Sequence, residues 1–206
     1  MQTDIRSVRE RILAAAVQLF AHYGYHAATM RDIARISGIQ AASIYYHYAS
    51  KQALLVEIMD THMRGLNANL QRIVQASTPV QQRLHEAIAN HIRLHTTYKA
   101  EFFIIDTEIR ALEDGQRSAI LALRDQYESM LQSLLGEGME QRIFRQVDIK
   151  VASYALIAMC TEVATWFRPD GRLSVQQVID LYTQMITEGL LVARVAAGRP
   201  GESART

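Results

Sequence analysis

The sequence predicts an all-α protein of about nine helices, a small N-terminal three-helix head followed by a larger helical body. Three observations carry that expectation. Only 10 Gly and 3 Pro in 206 residues leave few turn-formers for a strand-rich architecture. Apolar residues recur at helical spacing along most of the chain. The gaps between those runs hold helix starts and stops: Ser50 before a long run, Gly24 and Gly38 after short ones, Pro79, and the breaker Arg168-Pro169-Asp170-Gly171-Arg172. With 49% hydrophobic and 21% charged residues, the chain has ordinary globular values and enough apolar side chains for a core.

Residues 5–23 place Val8, Ile12, Ala16, Leu19, Phe20 and Tyr23 on one helical face, and Gly24 ends it. Arg6, Arg9 and Arg11 near its start suit either phosphates or solvent, and His22 and His26 at its end read as surface residues. Thr29, with Asp32 three positions on, starts a second helix because hydroxyl and carboxylate can satisfy first-turn amides. Ser37-Gly38 stops that helix at a corner where glycine can turn left-handed. A third short helix follows, with Ile39 and Ile44 inward and Gln40, Ala41, Ala42 and Ser43 outward, ending in Tyr45, Tyr46, His47 and Tyr48 before Lys51. Two short helices joined by a glycine turn make a helix-turn-helix, whose second helix can enter a DNA major groove. From Ser50 a long helix runs through Leu54, Ile58, Met63, Leu66, Leu70 and Ile73 and stops before Ser77-Thr78-Pro79. At roughly 25 residues and about 1.5 Å each it approaches 40 Å, long enough to link head to body.

The body continues as helices over residues 80–97, 100–113, 117–135 (ending at Gly136 and Gly138), 148–167 and 174–197. The last two helices mix small and large apolar residues. Paired across a two-fold axis they would give a four-helix dimer interface, and packed within one chain they would close its own core; periodicity fits both. The expected organisation is a DNA-binding domain at 1–51, a ligand-binding and dimerisation domain at 52–197, and a flexible tail at 198–206.

The net charge is +1, so the whole chain is no polycation. Its distribution is uneven. Arg6, Arg9, Arg11, Arg31, Arg35 and Lys51 face only Asp4, Glu10 and Asp32 in the first 51 residues, whereas the remainder is slightly acidic. A lone Cys160 excludes an intrachain disulfide framework and a multi-cysteine zinc site. The charged N-terminus carries no secretion signal, and no apolar run reaches the roughly 18 residues of a membrane span. The expected location is the cytoplasm, with no membrane partner.

Residues 6–54 resemble the DNA-binding head of the TetR (TetR/AcrR) family of transcriptional regulators. The resemblance rests on Phe20, Gly24, Tyr25, Thr29, Ile33, Ala34, Gly38, Ile39, Ile44, Tyr45, Tyr46, His47, Tyr48, Ser50, Lys51 and Leu54. Tyr48 departs from the commoner Phe, and Ala41-Ala42 stand where members often show Lys, Pro or Gly. The resemblance implies a ligand-responsive homodimer, most often a repressor, with no cofactor and no enzymatic activity. It places Arg31, Gln40, Ala41, Ala42, Ser43 and Tyr46 toward base edges, and Thr29, Tyr45, His47 and Lys51 toward phosphates. The chemistry agrees: Gln can pair with adenine, Ala can meet a thymine methyl and Arg can span guanine's acceptors, while Thr, Tyr and Lys position without reading sequence.

The runs HIRLHTTYKAEFFIIDTEIRALED, LALRDQYESML and TWFRPDGRLSVQQVIDLY are similar to a TetR subgroup that represses lipid and steroid catabolism. That similarity implies an acyl-CoA thioester or related hydrophobic acid as effector. Such a ligand needs apolar walls and one or two cations. The candidate walls are Met59, Met63, Phe102, Phe103, Tyr127, Met159 and Trp166; the candidate cations are Arg110, Arg124 and Arg168.

Two rival readings come from other classes. His91 and His95 stand four apart, the spacing of a metal-ligating pair on one helix face, as in a metal-dependent enzyme, although no HExxH pattern accompanies them. A helical adaptor that does not bind DNA leaves Tyr45 to Lys51 unexplained.

Overall fold

A computed structural model describes residues 7–190. Its helices are α1 (Val8–Tyr23), α2 (Met30–Ser37), α3 (Ile44–His47), α4 (Lys51–Val74), α5 (Val80–Thr97), α6 (Lys99–Thr107), α7 (Asp114–Glu140), α8 (Ile149–Trp166) and α9 (Val175–Leu190), with a 3-10 turn at Ile109–Ala111. Nine α-helices among the described residues match the expected all-α class. Asp4, Arg6, residues 191–197 and the expected tail at 198–206 lie outside them.

Local chemistry sets the helix ends. Ser7 and Glu10 form a reciprocal capping box on α1: the Ser7 hydroxyl accepts from the Glu10 amide at 3.2 Å, and Glu10 accepts from the Ser7 amide at 2.7 Å. Thr29 Oγ1 accepts from the Asp32 amide at 3.2 Å, Ser50 Oγ from the Ala53 amide at 3.1 Å, and Asp148 from the Val151 amide at 2.9 Å. Gly38 closes α2 at φ 71°, in the left-handed region.

Ile12, Phe20, Ile33, Ile44 and Leu54 are fully buried and hold the three head helices together, with α1 against α2 and against α4. In the body α5 is central and packs on α4, α7, α8 and α9. Arg83 pins the α4–α5 connection to α7: it donates to the carbonyls of Thr78 and Val74 at 2.9 Å each and to Glu137 Oε2 at 2.9 Å.

Three elements differ from the expectations. The third helix covers only Ile44–His47, and Gln40 to Ser43 form a tight turn closed by Ser43 N–H to the Gln40 carbonyl at 2.9 Å. The expected helix 100–113 breaks at Glu108, where φ −106° and ψ 8° leave the helical region. The helix expected to stop at Gly136 runs on to Glu140, because Gly138 is a packing glycine rather than a cap. A Cβ on Gly138 would sit 2.1 Å from Cδ2 of Phe144, a ring that is itself buried.

Gly138→Ala should therefore lose about 1–3 kcal/mol, overpacking outweighing alanine's better helix propensity, which is a fall in Tm of roughly 2–10 °C for a domain of this size. Thermal denaturation checks it; an unchanged or raised Tm would show that Phe144 can move aside freely.

Candidate DNA-binding surface and effector cavity

The head presents a contiguous polar face. Gln40, Ala41, Ala42 and Ser43 are exposed on the turn before α3, Arg31 is exposed on α2, and Tyr46 is 90% exposed. Its one ring contact among the described residues is an edge contact with His47, centres 5.3 Å apart, so most of the Tyr46 ring is open to an external partner. Tyr45 is half-exposed and His47 partly buried, while Tyr48 is buried. A concavity of about 520 Å³ brings Thr29, Arg31, Tyr45 and Lys51 together with His26, which is exposed as expected.

Two networks fix this face. In the first, the Arg9 guanidinium lies 4.4 Å from the Tyr48 ring centre, pairs with Glu57 on α4 and reaches the His47 carbonyl at 3.4 Å. Tyr48 donates its hydroxyl to Glu57 at 3.1 Å, and burial pushes the Tyr48 phenol above its ordinary range. The buried Tyr48 thus anchors the end of α3, so its ring is not offered to DNA.

In the second, Lys51 Nζ donates to the carbonyls of Tyr25 at 2.6 Å, Ala28 at 2.7 Å and His26 at 3.4 Å, beneath the Tyr25 ring at 4.3 Å. The ammonium is thereby a staple for the α1–α2 corner as well as a charge beside Thr29 and Arg31, and its desolvation lowers its pKa. Gly24 turns that corner at φ 82° and ψ 157°, a region essentially restricted to glycine. The turn presents the Tyr25 amide to Glu108 Oε1 at 3.1 Å. Tyr25 donates its hydroxyl to Gln52 at 2.7 Å, and Gln52 in turn donates to Gln116 at 2.9 Å and the Ala111 carbonyl at 3.3 Å. At this corner Glu108, Gln52 and Gln116 join the body to the head.

The body holds two adjoining cavities between α4, α5, α6, α7 and α8. The inner one, about 230 Å³, is lined by Met63, Leu66, Ile105, Tyr127, Tyr154 and Ile157 among others. The outer one, about 430 Å³, is lined by Lys99, Phe103, Glu162 and Ala164. His95, Phe102, Asp106 and Thr161 line both. Of the expected effector residues, Met63, Phe102, Phe103, Arg124 and Tyr127 come together here. The other five line neither cavity. Met59 is in the core, and Arg110 and Met159 lie on the surface. Trp166 leans on Tyr182 with ring centres 6.3 Å apart, and Arg168 donates to the Thr165 and Phe167 carbonyls at 3.2 Å. Arg124 is itself engaged, donating to the Ile105 carbonyl at 2.9 Å and Asp106 at 2.8 Å. Sequence spacing missed Thr161 and Asp106 because each reaches the cavity from a different helix.

His91 and His95 stack face to face, centres 4.0 Å apart and planes 6° from parallel, and His95 stacks on Phe102 at 3.9 Å. Parallel rings cannot aim two lone pairs at one ion. His91 spends both nitrogens on the hydroxyls of Tyr127 at 2.8 Å and Thr161 at 2.9 Å. Among the described residues no cluster of three or more metal-ligating side chains forms, and no helix is long and apolar enough to cross a membrane.

A helix-turn-helix head with a free polar face, fastened to a helical body that encloses a cavity, defines a DNA-binding transcriptional regulator with an effector domain. Residues 12–58 match the model of bacterial regulatory proteins of the tetR family, and residues 77–190 match that of the tetracyclin repressor-like C-terminal domain. The chain belongs to the TetR family. It is similar to the HTH-type transcriptional repressor KstR2 of Mycobacterium tuberculosis, with 30% identity over 91% of this chain and 94% of that one. It is also similar to the TetR-family regulator PfmR from Thermus thermophilus (32% identity, TM-score 0.80, 87% of this chain and 98% of that one). A third likeness is to AibR, solved in complex with isovaleryl coenzyme A and operator DNA (28% identity, TM-score 0.78, 87% and 97% covered).

Burial lowers His95 from its ordinary 6.5 to about 4 and moves His91 in the same direction. The unfolded chain then binds protons that the folded chain refuses, so these groups erode stability as pH falls from about 6.5 toward about 4 and have no effect above it. His95→Phe should flatten that fall relative to the parent, read as denaturation midpoint against pH; parallel curves would mean that His95 titrates normally in the fold.

Proposed function

We propose that this chain is a repressor that binds a near-palindromic operator as a homodimer and is released by a small hydrophobic effector, an acyl-CoA thioester or related acid, in the cytoplasm. The observation that carries this reading is the double use of α6. Its Phe102, Ile105 and Asp106 line the effector cavity, and the residue closing it, Glu108, grips the Tyr25 amide in the head. An effector that shifts α6 also shifts the corner on which α2 and α3 are mounted. The KstR2 and AibR likenesses support repression and a coenzyme A thioester, respectively.

Residues 1–51 serve as the DNA-binding unit and the helices after them as the effector and dimer unit. The exposed apolar side chains Val151, Tyr154, Leu181 and Met185 on α8 and α9 favour pairing with a second copy through these two helices. Arg31, Gln40, Ala41, Ala42, Ser43 and Tyr46 meet base edges, and Thr29, Tyr45, His47 and Lys51 meet phosphates or hold the backbone that does. Effector contacts fall to Met63, Phe102, Phe103, Arg124 and Tyr127.

A search of the DNA upstream of the chain's own coding sequence for a palindrome supplies the candidate operator for a binding assay. Saturating acyl-CoA should weaken operator affinity about 5–150-fold, and operator should weaken the ligand equally; an operator affinity indifferent to every acyl-CoA tried would remove this effector class. Gln40→Ala should relax preference at one base position, by about 1–3 kcal/mol if the amide contact is bidentate. A loss spread evenly over all sequences would contradict base reading by Gln40.

A further inference from the structure

The chamber where the two cavities meet is polar yet carries no net demand for charge. His95 Nδ1 lies 2.9 Å from the carbonyl oxygen of His91, an atom that can only accept. The single proton of the neutral ring is therefore on Nδ1, and Nε2 is a bare lone pair. No group among the described residues bonds to Nε2, and the ring is clamped between His91 and Phe102, so its orientation is fixed.

The neighbouring cluster supplies the complement. A neutral His91 donates through one nitrogen and accepts through the other, and its partners are the Tyr127 and Thr161 hydroxyls. One hydroxyl gives its proton to His91; the other accepts from His91 and keeps its own proton free. Whichever tautomer holds, the cluster retains one O–H donor with no protein acceptor. The charge of Arg124 is balanced by Asp106, to which its Nη2 donates as it does to the Ile105 carbonyl. The inner cavity is walled mainly by apolar side chains, Met63, Leu66 and Ile105 among them, with Glu128 on its wall, whereas the outer one holds the exposed Lys99 and Glu162.

We propose that this neck takes a neutral group that both donates and accepts a hydrogen bond, a hydroxyl or a secondary amide, lying between an apolar end in the inner cavity and an anionic end beyond Lys99. His95 Nε2 is the acceptor that selects it. A carbonyl alone would face the lone pair with another lone pair, and a carboxylate at the neck would meet the carboxylate of Asp106. This inference rests on the acyl-ligand reading and narrows it. The required group has two sources, a hydroxyl on the acyl chain or an amide of the pantetheine arm of a coenzyme A thioester.

Calorimetric titration of the full chain with three probes separates them. Decanoyl-CoA carries the amides, 3-hydroxydecanoate carries a hydroxyl without them, and decanoate carries neither. His95→Phe keeps a stacking ring and removes the acceptor. It should weaken the probe that uses the neck by about tenfold and leave decanoate within about twofold. The probe that loses affinity identifies the source. Thr161→Val removes a hydroxyl of the cluster without touching the ring stack, and should weaken the same probe and spare decanoate. If both variants bind every probe as the parent does, or lose decanoate equally, the neck assignment is wrong while the acyl-ligand reading stands. If the parent binds none of the three, both fall together.

Discussion

The α1–α2 corner, residues 24–28, is the constraint on which the rest of the structure depends. Its carbonyls face the Lys51 ammonium and the Tyr25 amide faces Glu108. A free amide and free carbonyls at a partly buried turn would each lose their hydration without replacement. The corner is therefore stable only while α4 and the end of α6 stand where they do. Gly24 makes the arrangement possible, since a side chain is strained at its φ of 82° and a Cβ there would approach Glu108 Oε1 to 3.4 Å. The DNA-facing helices hang from this corner, so their spacing is set by body helices that also wall the cavity.

The cavity shows a second economy of design. Its buried polar atoms are nearly all paired within the protein, and burial holds its histidines neutral. Neutral donors and acceptors on a cavity wall discriminate ligands by matching hydrogen bonds, because a mismatched buried group loses more than a matched one gains. Charge on the cavity walls comes from the Arg124–Asp106 pair and Glu128 in the inner cavity and from Lys99 and Glu162 in the outer one.

Local chemistry made the head legible from sequence alone. Thr29, Gly38 and Ser50 sit at helix boundaries where their side chains or missing side chains act on neighbours a few residues away. The body was legible as helices but not in its details. Gly138 reads as a stop until Phe144 is seen packed against it, and the break at Glu108 has no local signal because its partner, Tyr25, lies 83 positions earlier. The residues expected to meet an effector show the same limit: Met63, Phe102 and Tyr127 converge, whereas Trp166 and Arg168, adjacent in sequence to a helix end, stay on the surface. Lys51 was legible as a cation near DNA; its three carbonyl partners were not.

The proposed coupling through α6 makes the corner the test of the whole account. The decisive measurement is a four-state cycle, ligand affinity with and without operator and operator affinity with and without ligand, in the parent and in Glu108→Ala. In the parent the two ratios should be equal and about 5–150-fold. In Glu108→Ala, with the α6 contact to Tyr25 gone, the ratio should fall toward one while the ligand still binds. A Glu108→Ala protein that folds, binds both partners and keeps the full ratio would contradict the account.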